Sequence, residues 1–352
     1  MTQVQARLIT NKSNIAYLSN FTGSSGFMLL TKGKKYLFTD FRYIERAQNS
    51  IKKGIAIVDT TRMWRNKKEL VENWGKILKK HKVKTLGVEE SDLTVSRYKF
   101  YKKISKGVKL SDISGEMEQI REKKSAEEIK LTTKSQRINE KVFLEINKIV
   151  HKHLKSRSRK AILEIDLAWK IKELGNQFGA EDVSFDPIVG FGKNSSIVHH
   201  NPGKAKLKKG EIILVDMGMK YKGYCSDMTR MIFTGQPSEK EIEVYNTVLE
   251  AQLAAIKGIK AGMTGIKADA LAREVIEEAG YGEYYQHAGG HGVGLDIHET
   301  PSLSQNFQGK LKENSIITIE PGIYLPGKFG VRIEDMLLVT KKGNKNLTKL
   351  KK

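Results

Sequence analysis

Apolar and polar positions recur with two different periods along the chain, and the changes of period separate short strands from helices. Phe27–Thr31 and 36–40 are strand-like runs on either side of a short lysine-rich turn, which is typical of a hairpin. The apolar spacing over 64–80 predicts a helix, and 84–88 has the pattern of a following strand. These elements predict a compact α/β domain in the first part of the chain.

Longer helical patterns follow, and two of them begin with the same signal. Ser125 with Glu128, and Ser238 with Glu241, have the capping-box spacing, in which each side chain satisfies a free backbone amide of the other residue. Helical spacing follows the first box, and 161–178 has the pattern of a second helix. The second box opens a further helix pair.

A charged segment precedes the first capping box and marks the predicted domain boundary. We place the boundary within 116–124, which gives a small N-terminal domain, residues 1–118, and a larger domain, residues 119–352.

The larger domain contains an internal repeat. The runs 212–218 and 316–322 each read as a hydrophobic strand with a carboxylate two residues before a glycine. Each run follows two helices and leads through a turn into a second strand that carries another carboxylate. The four carboxylates at matched positions are Asp216 and Asp227 in one half, Glu320 and Glu334 in the other. The fold class predicted is therefore α/β, with two helix–helix–hairpin halves about a pseudo-twofold axis and four carboxylates at its centre.

Composition bears on the class of protein and its compartment. The chain of 352 residues is 39% hydrophobic and 29% charged, which is typical of a soluble globular protein. It has no apolar run approaching the roughly 20 residues of a membrane-spanning helix, and its N-terminus lacks a signal-peptide core. The single cysteine, Cys225, reads as a packing residue and favours a reducing compartment, so we expect a cytoplasmic protein.

A formal net charge of +22 would suit a nucleic-acid partner. However, basic pairs are scattered along the chain, and neither they nor the densest basic cluster, 151–160, alternate with aromatic residues. We therefore interpret the lysines as solvated surface, and a nucleic-acid partner is disfavoured.

Histidines strengthen the case for chemistry at the carboxylates, any one of which alone could cap a strand or face solvent. Five of the eight histidines lie within one hundred residues: His199, His200, His287, His291 and His298. Glycines surround His291, which suits an exposed ligand.

Four carboxylates and an imidazole fit two Mn²⁺ or similar hard divalent ions better than a cysteine-rich zinc site. Spacing alone thus favours a two-metal hydrolase, whereas the phosphate-loop and dinucleotide-binding frames are both broken.

The ordered pattern of Asp216, Asp227, GHGVGLDIHE, IEPGIY and VRIED resembles the pita-bread metallopeptidase family, which includes methionine aminopeptidase, aminopeptidase P and prolidase. The likeness covers roughly residues 120 to 345. The segments NIAYLSNFTGSSGFMLL and YLFTDFRYIERA are similar to the creatinase-type N-terminal domain of the proline-specific branch.

This resemblance implies a role for each site residue. Asp216 would bind one ion, Asp227 and Glu334 would bridge two ions, and His291 with Glu320 would complete the second ion's ligands. Mn²⁺ is the expected metal, with Co²⁺ and Zn²⁺ as alternatives. The implied catalytic residues are His199, His298 and Glu320, the last as a proton shuttle. The implied substrate-binding residues are His199, His287, His298, Tyr324 and Arg332, of which Tyr324 and Arg332 also brace the carboxylates.

The resemblance also implies an activity and an assembly. We expect an aminopeptidase that hydrolyses the bond between an N-terminal residue and a following proline by means of a metal-bridging hydroxide. A homodimer formed through the N-terminal domain is expected. A prolidase, which cleaves only dipeptides, is the first alternative, and a non-enzymatic basic binding protein on the same fold is the second.

Overall fold

The computed structural model describes residues 3–62, 66–156 and 161–352, which form two compact units, one reaching Arg121 and the other beginning at Glu122. The elements up to this boundary are β1 (Ala6–Ile9), α1 (Lys12–Ser19), β2 (Phe27–Thr31), β3 (Lys34–Thr39), α2 (Phe41–Ser50), β4 (Ile55–Asp59), α3 (Lys67–Lys80), β5 (Thr85–Val88), α4 (Val95–Ile104), β6 (Lys109–Asp112) and α5 (Glu116–Glu122).

The first unit is built on a mixed sheet of six strands in the order β4-β3-β2-β1-β5-β6. The predicted hairpin is confirmed: β2 pairs with β3 in antiparallel register, and Gly33 takes the positive φ that its turn requires. Aromatic residues fill the core, where the rings of Phe27 and Phe38 stack at 4.5 Å and Trp74 is fully buried. The start of the predicted helix 64–80, including Trp64, lies partly outside the described residues.

The second unit is larger and begins with the long helix that the first capping box predicts. Its elements are α6 (Ala126–Lys155), α7 (Glu164–Gln177), β7 (Asp182–Val183), β8 (Ile188–Phe191), β9 (Ile212–Met217), β10 (Met219–Tyr221), β11 (Tyr224–Cys225), β12 (Met228–Phe233), α8 (Glu239–Gly258), α9 (Gly265–Glu278), β13 (Gly290–Gly292), β14 (Glu299–Leu303), β15 (Ile316–Ile319), β16 (Gly322–Leu325), β17 (Phe329–Arg332), β18 (Asp335–Thr340) and β19 (Gly343–Asn346), with 3₁₀ turns at Gly192–Ser196 and Gly282–Tyr284.

Both capping boxes are present, at the starts of α6 and α8. The basic cluster 151–160 begins in the last turns of α6, and its final four residues lie outside the described part of the chain. Across the described ranges, no helix is both long and apolar enough to cross a bilayer.

The predicted internal repeat is confirmed by the order of elements. In one half, α6 and α7 precede the antiparallel pair β9–β12, and in the other, α8 and α9 precede the antiparallel pair β15–β18. Each helix pair packs on its own strands: Ile146 and Val215 belong to one apolar cluster, Val248 and Ile317 to the other. Each half of the repeat therefore has its own core, which supports one strand pair and the carboxylates attached to it.

The strands differ from the prediction in one respect that matters for the site. Three predicted strands are interrupted: 225–233 after Cys225, 316–322 after Ile319, and 331–339 after Arg332. At the interruptions the backbone bonds elsewhere, because Ser226 N–H donates to the Met219 carbonyl and Glu320 N–H to the Gly289 carbonyl. Periodicity alone predicted continuous strands, since the residues on both sides are apolar.

Candidate metal centre and active site

The interruptions place acidic side chains where the strands stop pairing. Asp227 immediately precedes β12, Glu320 immediately follows β15, and Glu334 immediately precedes β18, whereas Asp216 lies within β9 opposite Thr229. A residue outside the ladder is free of the strict in-and-out alternation of a strand. Carboxylates from both halves can therefore turn toward one point.

His291, from β13, completes this group. Asp227, His291 and Glu334 each offer a potential ligand atom, and those atoms all lie within 4.8 Å of one another. The Nε2 atom of His291 is 3.6 Å from Oδ2 of Asp227 and 3.3 Å from Oε1 of Glu320. The structure thus brings together four of the five predicted metal ligands directly.

The fifth predicted ligand, Asp216, is tied to the group through Arg332. The guanidinium donates from Nη2 to Oδ2 of Asp216 at 2.6 Å, from Nε to Oγ1 of Thr229 at 3.0 Å, and from Nη1 to the hydroxyl of Tyr324 at 2.7 Å. Arg332 is almost completely buried, and these bonds fix the position of its guanidinium. The side chain braces one carboxylate and leaves the other oxygen of Asp216 available.

The carboxylates are enclosed without enough positive charge to balance them. Asp216, Asp227 and Glu334 are 8%, 4% and 1% exposed. Burial first, and then the neighbouring carboxylates, raise the pKa of Asp227 and of Glu334 well above the usual range, and burial raises the pKa of Glu320. A cluster of like charges in a buried place is costly unless a cation offsets it.

Three oxygens of this cluster have no hydrogen-bond donor among the described residues: Asp216 Oδ1, Asp227 Oδ1 and Glu334 Oε1. Buried carboxylate oxygens normally have partners, so a set of unpaired ones around one point fits metal ions. The donor set, oxygens with one imidazole, suits hard divalent cations.

His291 and His287 are held in defined tautomers. Nδ1 of His291 lies 3.0 Å from the Gly292 carbonyl, which can only accept, so Nδ1 carries the proton and Nε2 faces the carboxylates with its lone pair. By the same argument, Nδ1 of His287 donates to the Ala288 carbonyl at 2.8 Å and its Nε2 accepts from Tyr324. Burial lowers the pKa of both rings, which keeps them neutral.

A cavity of about 480 Å³ opens beside the cluster. His199, His287 and His298 line it, and the ring of His298 meets that of His291 edge-on at 4.4 Å between centroids. Tyr324 is not part of its wall, but lies behind His287 and Arg332. The predicted substrate contact of Tyr324, like the roles predicted for the other site residues, stays a prediction.

Sequence reasoning missed two threonines that bond to the predicted ligands. Thr229 donates from Oγ1 to Glu334 Oε2 at 2.8 Å, and Thr318 donates to Glu320 Oε1 at 3.1 Å while accepting from the backbone N–H of His291 at 3.0 Å. Each threonine lies in a strand two residues from a predicted ligand, but that ligand, Asp227 or Glu320, lies outside the strand, so alternation gave no signal for either threonine. The apolar wall residues gave no sequence signal: Phe185, Val198 and Ile297 lie in irregular segments, and Ile188 is the first residue of β8.

Comparison with known families decides the identity of this arrangement. Residues 130–341 match the description "Metallopeptidase family M24". The chain belongs to metallopeptidase family M24. Residues 2–123 match the "Creatinase/Prolidase N-terminal domain", as the resemblance of the N-terminal segments predicted.

Several known proteins match this M24 chain over nearly its whole length. A Xaa-Pro dipeptidase from Pyrococcus horikoshii is 34% identical over 98% of this chain and 93% of its own. The structure of a Xaa-Pro dipeptidase from Bacillus anthracis is 38% identical, with a TM-score of 0.91 over 99% of this chain and 94% of that one. An X-Pro aminopeptidase structure from Thermotoga maritima is 34% identical, with a TM-score of 0.87 over 99% and 96%.

These findings confirm several predictions. The chain has the pita-bread fold with a creatinase-type N-terminal domain, and it is a hydrolase of the Xaa-Pro aminopeptidase and dipeptidase family. The family uses divalent metals, in agreement with the acidic cluster described above. Manganese, the dimer and the cytoplasmic location stay predictions.

Proposed function

We propose that this M24 metallopeptidase is a Xaa-Pro aminopeptidase that works with two divalent ions, Mn²⁺ being the expected metal. The observation that carries the proposal is the group of unpaired, buried carboxylate oxygens beside His291, at the wall of a cavity large enough for a short peptide. Peptides with proline at the second position would be its substrates. A cytoplasmic homodimer is part of the same expectation.

Five residues would hold the ions: Asp216, Asp227, His291, Glu320 and Glu334. Divalent ions in such a setting supply Lewis acidity and bring the pKa of water toward neutrality. Asp216 keeps one oxygen for this purpose while Arg332 occupies the other. Thr229 bonds to only one carboxylate oxygen of Glu334, and Thr318 to only one of Glu320, so neither threonine occupies the second oxygen of its carboxylate.

The chain itself supplies proton transfer and charge stabilisation. Glu320, whose pKa is raised by burial, is suited to take a proton from the attacking water at a carboxylate oxygen and pass it to the leaving amine. His199 and His298 line the cavity and can donate N–H groups to the oxygen of the scissile carbonyl as it gains negative charge. The X-Pro bond offers no N–H on its proline side, so recognition depends on the shape of the cavity around the ring.

One feature of the cavity supports an aminopeptidase. Among the described residues that line it, Arg332 is the single lysine or arginine, and its guanidinium is already bonded to Asp216, Thr229 and Tyr324. A dipeptidase needs a partner for the free carboxylate of its substrate's second residue, since a buried charge without one is costly. An extended peptide presents an amide at that position and needs no cation.

A dipeptidase is the second candidate. The relatives from Pyrococcus horikoshii and Bacillus anthracis carry that name, and they match this chain over almost its full length.

The test uses full-length protein stripped with a chelator, refilled with Mn²⁺ and given an Ala-Pro dipeptide, an Ala-Pro-Ala tripeptide and the matched Ala-Ala-Ala tripeptide. Cleavage of Ala-Pro-Ala that needs the added metal, with little cleavage of Ala-Ala-Ala, would support the aminopeptidase. Turnover of the dipeptide alone would identify a dipeptidase. If no peptide is cleaved at any metal concentration, the proposal is wrong and a binding protein on this fold becomes the better interpretation.

A further inference from the structure

Glu164 is a buried carboxylate that lies outside the predicted site. It is the first residue of α7, and its side chain is fully enclosed. Burial alone would raise the pKa of Glu164, but hydrogen bonds from backbone and side-chain donors together outweigh burial and lower it. The residue is thus an ionised group in the interior, which is retained only where donors surround it.

Its four donors all come from one stretch of chain. Oε1 accepts from the backbone N–H of Phe191 and from the side-chain amide of Asn194, both at 2.8 Å. Oε2 accepts from the ring N–H of His200 at 2.9 Å and from the backbone N–H of Gly203 at 3.1 Å. One carboxylate therefore fastens both ends of residues 191–203, which we call the wall loop.

The wall loop forms one side of the cavity. Five consecutive residues of it line the cavity: Val198, His199, His200, Asn201 and Pro202. The wall loop begins at the end of β8 and passes through the 3₁₀ turn Gly192–Ser196, but from 197 to 203 the chain is neither helix nor strand, so no regular ladder fixes the path of its cavity-lining part. Its position depends instead on local bonds, such as that from His200 N–H to the Ile197 carbonyl, on the bond from Gly330 N–H to the hydroxyl of Ser195, and on Glu164.

We propose that Glu164 is a positioning residue, whose carboxylate holds the wall loop so that His199 is presented to the substrate. The bond to His200 is the direct connection, because His200 and His199 are adjacent in the chain. Glu164 touches none of the predicted metal ligands, so it acts on substrate and not on metal content. This inference rests on the proposed function for the part that concerns turnover.

The decisive variant is Glu164→Gln, which keeps the size of the side chain but replaces an acceptor by an N–H group that faces other donors. Glu173→Gln is the matched control, since Glu173 lies on the same helix and pairs with Lys170 at the surface. Three quantities are measured on full-length protein: kcat/KM for Ala-Pro-Ala, bound Mn²⁺ per chain, and amide hydrogen exchange by peptide.

We expect Glu164→Gln to lower kcat/KM by about 10-fold to 100-fold, because small displacements of a substrate-contacting group have effects of that size. Bound Mn²⁺ should be unchanged, and amide exchange should accelerate in the wall loop alone. Glu164→Asp, which keeps the charge, should recover part of the activity. Glu173→Gln should match the wild type in every measurement.

Unchanged exchange in the wall loop, or a fall in activity that follows a fall in bound Mn²⁺, would overturn the proposal. If Glu164→Gln does not fold, His200→Leu gives the same test through the other partner, because leucine has no N–H to donate to Glu164, and normal kcat/KM with normal exchange in that variant would overturn it. If the wild type cleaves no Xaa-Pro peptide, the proposed function fails, while the exchange measurement still decides whether Glu164 holds the wall loop.

Discussion

The unpaired oxygens of Asp227 and Glu334 define the chemistry of this protein at the scale of single residues. They are buried, they have no donor among the described residues, and the one cationic side chain that lines the same cavity in the described part of the chain, Arg332, is committed to Asp216 and Tyr324. Removing a carboxylate should therefore weaken metal binding, but it should not lower the stability of the metal-free protein, because a buried negative charge is removed.

Glu334→Gln tests this. We expect it to lower kcat/KM by about 10³-fold or more and to lower Mn²⁺ binding, since a ligand worth several kcal/mol is lost. The metal-free variant should melt no lower than the metal-free wild type, because one of several crowded negative charges is gone. Titration calorimetry and thermal melts measure both effects. Glu313→Gln, at an exposed position, is the control; full turnover in Glu334→Gln would contradict the ligand assignment.

The raised pKa of Asp227 and Glu334 also predicts how the metal-free protein responds to pH. A carboxyl whose folded pKa exceeds its unfolded value of about 4 binds its proton more tightly in the folded state. This contribution to the free energy of unfolding is complete below pH 4 and is lost as pH rises through the folded pKa. In chelator, the cluster should therefore lower the melting temperature between pH 5 and pH 8, and Mn²⁺ should raise it more at pH 8. If Mn²⁺ raised the melting temperature equally at pH 5 and at pH 8, the charges of the cluster would not be destabilising the metal-free protein.

Thr229 fixes the carboxylate of Glu334, a predicted metal ligand. Its hydroxyl donates to Glu334 and accepts from Arg332, and Thr229→Val would leave both groups without that partner at unchanged volume. We expect Mn²⁺ affinity to fall by about 10-fold to 100-fold, the usual effect of losing such support. Thr247→Val, whose hydroxyl bonds only the helix backbone at the surface, is the control. Unchanged Mn²⁺ affinity in Thr229→Val would refute this role.

Among the elements, the interrupted strands separate what the sequence could predict from what it could not. The residues predicted as ligands, which the structure brings close together, could be named because their types and spacings carry chemistry. The helices could be predicted because capping boxes such as Ser125 with Glu128 are local signals. The breaks before Asp227 and Glu334 could not be predicted, because they depend on partners distant in sequence: Asp227 N–H faces the sulfur of Met336 at 3.2 Å. The wall loop gave no signal for the same reason.

A buried ion pair holds another element of the site. Lys124 donates to Glu299 at 2.8 Å, with both side chains almost fully enclosed, and Glu299 directly follows His298 at the start of β14. Lys124→Met should destabilise the protein by about 3–5 kcal/mol and lower turnover, because Glu299 would keep a buried charge without this cation.

The double variant Lys124→Met with Glu299→Gln measures the coupling. It should lose less stability than the sum of the two single variants, as determined by urea unfolding. Strict additivity would mean that the pair does not hold the segment that carries His298.

On the scale of the whole molecule, the expected homodimer is the prediction that solution mass decides. Large apolar side chains stand exposed in the first unit, Phe41 and Val95 each at 70%, which is consistent with an interface there. Light scattering on the full-length protein should give twice the mass of one chain. A monomer over the micromolar range would contradict the expectation.

The division of the predicted metal ligands between two halves has a consequence for the protein while it is being made. Asp216 and Asp227 leave the ribosome long before Glu320 and Glu334, yet none of these halves alone supplies the full ligand set. The first unit closes on contacts within its own 121 residues and can fold early. With the proposed ligand set, the metal centre would form only when Glu334 has emerged, so a chain still under synthesis would be an inactive peptidase.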